Sequence, residues 1–283
     1  KRGERMDLYR IKASDGIVWI TGASAGIGRA VALKLAEKGY DVVASARSED
    51  KLAALAEESG PMLGSIKPFA CDVTDRDGMS KAVADIEAEH GPIAMAIFNA
   101  GNYLPTRGEA LDLEAFDKTF AINLFGVLNG LVPAVERMKA HGKGQIVMVG
   151  SVSGYSGLPA AAAYGASKAA IYNFGESLKF DFDKLNIRVQ VVNPGFVDTP
   201  ATRKNDFEMP ALMPVDKAAA AMVAGMENGG FEITFPRRFT WLLKFMRMMP
   251  HPIYFFVMKR AMRWNRQELK FGDTTPAAVV RQS

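Results

Sequence analysis

Tyr164 and Lys168 stand four residues apart in the stretch YGASK. On a helix that spacing puts both side chains on one face, one turn apart. A carbonyl being reduced takes a hydride at carbon and a proton at oxygen, and a positioned side chain must supply the proton. An unperturbed tyrosine, with a pKa of about 10, is a weak donor and is rarely ionised at neutral pH. A cation beside it favours the phenolate and lowers that value. The pair therefore has the composition of a tuned acid/base. Taken alone it equally describes ordinary helix surface, and the rest of the chain has to decide.

A second group is the segment TGASAGIG at residues 21–28, which follows an apolar run and opens into a helical pattern. Its glycines, Gly22, Gly26 and Gly28, form G-x-x-x-G-x-G. Glycine permits a tight turn and close backbone approach, and a helix N-terminus offers free N–H groups to a pyrophosphate. Candidate contacts here are Gly22, Ser24, Ala25, Gly26, Ile27 and Gly28. The alternative is a glycine-rich turn without a ligand; the strand–turn–helix context favours the nucleotide. At the end of the next strand, where an acid would bind the ribose 2′-hydroxyl of NAD, stand Ser45, Ala46 and Arg47. Nothing in that segment repels a 2′-phosphate, and the forked guanidinium of Arg47 matches one. Ala46 and Arg47 are therefore candidate contacts, and NADP(H) is expected over NAD(H). The other reading of Arg47 is a solvated residue at the start of a helix.

These groups need a scaffold, and the chain alternates short apolar runs with longer helical patterns. Strands are expected at 16–21, 41–46, 65–70, 93–100, 144–151 and 187–195. Helices are expected at 27–38, 49–58, from 75 to about 89, over most of 113–138, and at 161–184. Runs that are continuously apolar belong to strands covered on both faces, hence to a parallel sheet flanked by helices. Right-handed crossovers make this a doubly wound α/β fold. No linker or tandem repeat divides it, so a single domain over 1–283 is expected.

Four motifs occur in order: TGASAGIG, NAG at 99–101, YGASK, and NPG at 193–195. Together they resemble the short-chain dehydrogenase/reductase family, in its shorter non-extended type, over about residues 16–235. The resemblance implies a Rossmann-like seven-stranded parallel sheet, a nicotinamide cofactor, and a tetrad of Asn, Ser, Tyr and Lys. The last two are Tyr164 and Lys168. The serine falls at Ser151, thirteen residues before the tyrosine, with Ser153 as the fallback. The asparagine falls at Asn123 in INLFG. No member is missing, which disfavours a decayed, non-catalytic relative.

By the same resemblance Asp72 lies beside the adenine with Val73 lining it. Asn99, Ala100 and Gly101 stabilise the sheet and pass beneath the adenine ribose. Pro194, Gly195, Val197 and Thr199 border the nicotinamide end. Lys168 holds the nicotinamide ribose and lowers the pKa of Tyr164, so that both are cofactor contacts as well as catalytic groups. Ser151 hydrogen-bonds the substrate oxygen, and Asn123 holds a water linking Lys168 to solvent. A homo-dimer or homo-tetramer through the helices at 113–138 and 161–184 is also implied.

Composition narrows the remaining classes. With 48% hydrophobic and 23% charged residues the chain is of soluble globular type and can bury a large core. One cysteine, Cys71, excludes an internal disulfide framework, and with three histidines no metal site is expected. The first residues, KRGERM, lead into no apolar signal-peptide region, and Met6 is a candidate natural start. No uninterrupted apolar run has spanning length. A cytoplasmic protein is expected. Residues 237–270 carry nine Lys/Arg and one acid, +8 against a total of +4, which leaves the remainder near −4. The basic character is thus local and is not a nucleic-acid signature.

That tail, within 236–270, reads as two amphipathic helices hinged at PHP. Arg237, Lys244 and Arg247 share one face of the first, with Leu242, Phe245 and Met249 on another. In the second, Lys259, Arg263, Arg266 and Lys270 line up against Phe255, Met258 and Met262. The apolar faces are expected to pack on the domain or a second subunit. A lid over an apolar substrate, or peripheral contact with the inner face of a membrane, is compatible with that. The expected function is NADP(H)-dependent interconversion of a carbonyl and a secondary alcohol on an apolar, lipid- or steroid-like molecule. The alternative is a non-catalytic NADP(H)-sensing regulatory or membrane-associated scaffold.

Overall fold

The computed structural model describes residues 8–204, 209–264 and 268–269. Met6, Arg266 and Lys270 lie outside the described residues. The strands are β1 (Ile17–Thr21), β2 (Val42–Ala46), β3 (Ile66–Ala70), β4 (Ile93–Phe98), β5 (Gly144–Val149), β6 (Ile187–Pro194), β7 (Val197–Asp198), β8 (Met213–Pro214) and β9 (Glu232–Phe235). The helices are α1 (Gly26–Glu37), α2 (Glu49–Glu58), α3 (Arg76–His90), α4 (Leu113–Phe120), α5 (Gly126–His141), α6 (Ala162–Phe182), α7 (Val215–Asn228), α8 (Arg237–Arg247) and α9 (His251–Ala261).

Seven strands form one sheet in the order β3-β2-β1-β4-β5-β6-β9, with every pairing parallel. β1, β4, β5 and β6 are buried along their whole length, as continuous apolar runs require. β3, at one edge, buries only Ile66 and exposes Pro68 and Ala70. Successive residues of β1 point to opposite faces. Val18 and Ile20 join a core with Val31 and Leu35 of α1 and Met222 and Met226 of α7. Ile17 and Trp19 join a second core with Met79 and Ile86 of α3 and Leu131 and Met138 of α5. The doubly wound fold follows from these two cores. The order reverses between β1 and β4, which opens a crevice at their carboxyl ends.

Several expectations need correction. β4 ends at Phe98 rather than residue 100, because Asn99 leaves the ladder to bond the glycine loop. The helical stretch from 113 is divided: α4, then a π-helical turn over Ala121–Phe125, then α5 as far as His141. Sequence periodicity located neither α7 nor β9, the seventh strand of the sheet. The run Leu113–His141 is long and apolar enough to cross a membrane by length and composition. Val127, Leu131, Ala134 and Met138 of this run pack in the second core.

The two tail helices exist, but their faces differ from expectation. α8 buries Thr240 and Met246 and half-buries Leu243, whereas Leu242 and Phe245 are 55% and 57% exposed. α9 buries Tyr254 and Met258 and leaves Phe255 54% exposed. Met246, Tyr254 and Met258 form a small core of their own over Leu158. The inward faces are chosen by that packing surface, which sequence periodicity does not contain.

Candidate active site

The glycine loop is built by two close approaches. Gly22 has φ +69°, and a Cβ there would stand 2.7 Å from Ala100 Cα. A Cβ at Gly28 would stand 2.4 Å from Asn99 Nδ2 and 2.5 Å from the Gly22 carbonyl oxygen. The Asn99 side-chain amide donates to the Thr21 and Gly22 carbonyls at 3.1 and 3.0 Å. Thr21 Oγ1 accepts the backbone N–H groups of Asn99 and Ala100, both at 3.2 Å. The loop is thereby locked to the end of β4. Ala25, the residue capping α1, supplies no side-chain hydrogen bond to the helix, so the first N–H groups of α1 have no side-chain cap. Thr21 was missed as a functional position, although it opens the TGASAGIG motif.

Ala46 ends β2, and Arg47 follows it with an exposed side chain that makes no hydrogen bond or ion pair among the described residues. Asp72 accepts the Thr74 backbone N–H at 2.9 Å and the Thr74 hydroxyl at 2.8 Å. The backbone bond is the main reason its carboxyl is held below the usual value, with a smaller contribution from Arg47. The carbonyl of Val73 accepts from the Asn129 side chain at 2.9 Å, which ties this loop to α5.

Tyr164 sits in the first turn of α6 and Lys168 one turn later. Lys168 is 4% exposed, and its Nζ lies 5.7 Å from the Tyr164 ring centroid. The ammonium donates to the carbonyl of Val149, the last residue of β5, at 2.8 Å. Ser151 follows two residues later, and its hydroxyl acts on the Tyr164 phenol in the direction opposite to burial. Ser151 Oγ also accepts from the Ser153 hydroxyl at 2.8 Å and its N–H at 3.2 Å. Ser153 is thus a neighbour that orients Ser151, and both are buried.

Asn123 is fully buried in the π turn. Its side chain accepts the Asn102 N–H at 2.8 Å and donates to the Asn102 carbonyl at 2.9 Å and to Ser167 Oγ at 3.2 Å. Ser167 in turn donates to the Tyr164 carbonyl at 2.7 Å. A Cβ at Gly101 would lie 3.3 Å from Asn123 Oδ1 and 3.5 Å from Lys168 Nζ, so the two polar atoms converge on that glycine. Tyr103 packs edge-on against Tyr164 at 5.2 Å between centroids. Asn102, Tyr103 and Ser167 carry no motif signal beyond their nearness to NAG and YGASK.

The electrostatics depart from expectation. Burial lowers Lys168 to about 8. Burial raises Tyr164, against a smaller opposing effect of Ser151. The lysine does not pull the tyrosine down in this structure: its ammonium is directed at the Val149 carbonyl, and burial sets the direction for the phenol.

Both groups face a cleft of about 1550 Å³. That exceeds the roughly 300–1,000 Å³ of a single small-ligand pocket, which leaves room for a dinucleotide and a second molecule. One lobe runs from the glycine loop past Arg47 and Asp72; the cleft also includes Pro194, Gly195, Val197 and Thr199. The outer lobe is walled by Leu158, Leu242, Leu243, Met246, Met258 and Met262. Several polar contacts fasten the tail to the core. Glu232 of β9 accepts from Asn193 at 2.8 Å and binds the Tyr155 hydroxyl and the Lys244 ammonium. Burial and that carboxylate hold Tyr155 well above the ordinary tyrosine value, so it remains a donor. Tyr254 donates to the Gly157 carbonyl at 2.8 Å.

A nucleotide crevice at the strand switch point and a Ser–Tyr–Lys cluster beside it describe a nicotinamide-type oxidoreductase. A family model described as short chain dehydrogenase matches residues 16–209. An uncharacterized oxidoreductase of Myxococcus xanthus is 33% identical over 235 residues, covering 83% of this chain and 93% of the relative. A 3-oxoacyl-acyl-carrier-protein reductase of Thermotoga maritima is 35% identical over 185 residues, 65% of this chain and 75% of the relative. The solved alcohol dehydrogenase of Thermococcus sibiricus, complexed with 5-hydroxy-NADP, superposes with TM-score 0.70 at 24% identity, over 77% of this chain and 95% of that one. The chain belongs to the short-chain dehydrogenase family. It is a short-chain dehydrogenase/reductase enzyme with an NAD(P)-binding Rossmann-like fold.

Proposed function

We propose that the enzyme interconverts a carbonyl and a secondary alcohol on an apolar molecule, with NADP(H) preferred and Tyr164 as the acid/base. The observation that carries this reading is the convergence of Ser151, Tyr164 and Lys168 on one cleft, with the lysine ammonium 5.7 Å from the tyrosine ring centroid, at the junction of the two lobes. Residues 16–235 hold cofactor and catalysis, and the extension from 236 closes the substrate end, as one domain. The glycine approaches at Gly22 and Gly28 leave a cradle that any side chain would fill, and this fits a pyrophosphate against the start of α1. Ser24, Ala25, Gly26 and Ile27 would complete that cradle. Asp72, Val73, Asn99, Ala100 and Gly101 would border the adenosine. Pro194, Gly195, Val197 and Thr199 would border the nicotinamide. When bound, the cofactor supplies or takes the hydride.

The chain's own residues handle the oxygen. Ser151 holds the substrate oxygen by a hydrogen bond that strengthens as charge develops there. The raised Tyr164 keeps its proton at neutral pH and gives it to that oxygen in the reducing direction. Lys168, charged below about pH 8, would steady the phenolate left behind and would hold the ribose hydroxyls of the bound cofactor. Asn123 keeps the π turn and the Asn102 backbone in register with this cluster. The NADP(H) preference rests on Arg47, unpaired at the mouth of the nucleotide lobe. The T. sibiricus alcohol dehydrogenase carries an NADP derivative on the same fold. The apolar substrate rests on the leucine and methionine wall of the outer lobe. Tyr164→Phe tests the assignment: turnover should fall by about 10²-fold or more while NADPH binding, read by fluorescence, is kept. Full turnover in that variant refutes it.

A further inference from the structure

We infer that the outward faces of α8 and α9 bind an anionic lipid surface, with the outer lobe of the cleft opening at the edge of that contact. The binding stands on its own; its value for catalysis rests on the apolar-substrate reading above.

The observation is an inverted pair of helices. Inward, α8 and α9 pack through Met246, Tyr254 and Met258. Outward, Trp241, Leu242, Phe245 and Met248 are 63%, 55%, 57% and 75% exposed, and Ile253, Phe255 and Phe256 are 51%, 54% and 69% exposed. Seven large apolar side chains more than half exposed within residues 241–256 are more than scattered surface residues require. At about 100° per residue, the outward apolar residues of α8 share an arc of about 140° with Arg237 and Arg238. On α9, Lys259 and Arg260 fall on the same arc as Phe255, Phe256 and Ile253. These four cations are exposed.

Charge decides the occupant. No Asp or Glu occurs from residue 233 to residue 267. A second copy docking face to face would set these cations against their own counterparts with no acid to pair them. A lipid surface offers both requirements at once, anionic headgroups for the cations and an apolar layer for the Trp and Phe rings. Leu242 belongs to the outward face and also to the cleft wall, and Met258 and Met262 of the tail line the same lobe. An apolar molecule would therefore pass between lipid and cleft along the edge of α8.

The test is flotation of the full chain with phosphatidylcholine vesicles, and with vesicles containing roughly one third phosphatidylglycerol. Binding should be at least tenfold stronger to the anionic vesicles and should fall at high salt. Phe245→Glu with Phe256→Glu, and separately Lys259→Glu with Arg260→Glu, should each reduce it on the order of tenfold. None of these four side chains lines the cleft. NADPH binding and turnover of a water-soluble carbonyl should persist in both variants, which separates failure of docking from failure of the reaction. Should a variant not fold, the comparison of lipids and salt with the unaltered chain still decides. The inference is overturned if anionic vesicles do not bind, or if binding is unchanged in both variants. It is equally overturned if the chain ignores vesicles but forms an oligomer that Phe245→Glu disperses, which would assign the face to a second copy.

Discussion

Burial acts on Tyr164 and Lys168 in opposite directions, raising the phenol and lowering the ammonium, because in each case it disfavours the charged form. The sign for stability follows from the lysine. Its folded value, about 8, lies below the ordinary value of about 10.4, so between these two the unfolded chain binds more protons. Stability therefore rises with pH from about 8 to about 10.4, and below pH 8 the folded state carries the full cost. Relative to a Lys168→Met variant, the wild type should gain up to about 3 kcal/mol across that window, read by urea unfolding at several pH values. A difference that stays flat with pH would contradict it. Arg47 makes a second prediction at this scale. Arg47→Ala should weaken NADPH by about 10-fold and leave NADH nearly unchanged, measured as the ratio of the two affinities. An unaltered ratio removes the residue from the cofactor's phosphate.

Two elements matter more than their length suggests. The π turn over Ala121–Phe125 turns Asn123 inward, where its amide meets the Asn102 backbone and Ser167. A continuous α-helix would shift the register of everything after it. β9 is the other. It closes the sheet beside β6 and carries Glu232, on which Tyr155, Asn193 and Lys244 all converge. The Lys244–Glu232 pair is mostly shielded, with side-chain exposures of 30% and 14%. Glu232→Gln should cost about 1.5–3 kcal/mol, seen as a lower urea midpoint. It should also loosen α8, raising KM for an apolar substrate more than it lowers kcat. Equal loss in both parameters would place Glu232 in the reaction instead of the tether.

At the scale of the molecule, the sheet order brings the ends of β1, β4, β5 and β6 to one crevice, so residues from 22 to 199 meet in a single cleft. The opposite side of α5 and α6 shows an exposed apolar surface. Val132 is 60% exposed on α5, Phe180 is 77% exposed on α6, and Phe125 is 51% exposed in the π turn. We propose that a homo-dimer or homo-tetramer, if formed, is joined there. Val132→Glu with Phe180→Glu should shift sedimentation to the monomer without touching the cleft. A variant that sediments as the wild type would move the interface elsewhere.

The sequence by itself determined the class of fold and pointed to the candidate reacting groups, because both are written locally. Continuous apolar strands imply a covered parallel sheet, and the glycine loop, YGASK, NAG and NPG each lie within a few adjacent residues. Asn123 and Ser151 became legible only through their distance from those motifs. Only the tertiary structure decided the rest. α7 keeps helical spacing in its buried Ala218, Ala219, Met222, Val223 and Met226, and β9 is four residues long; their places against one face of the sheet and beside β6 are set by packing. The inward side of α8 is set by Leu158 and its neighbours, so Leu242 and Phe245 face outward although periodicity alone permits the reverse. The pKa directions of Tyr164 and Lys168 depend on how much water surrounds them. Desolvation is a property of packed neighbours, and a linear order of residues does not specify it.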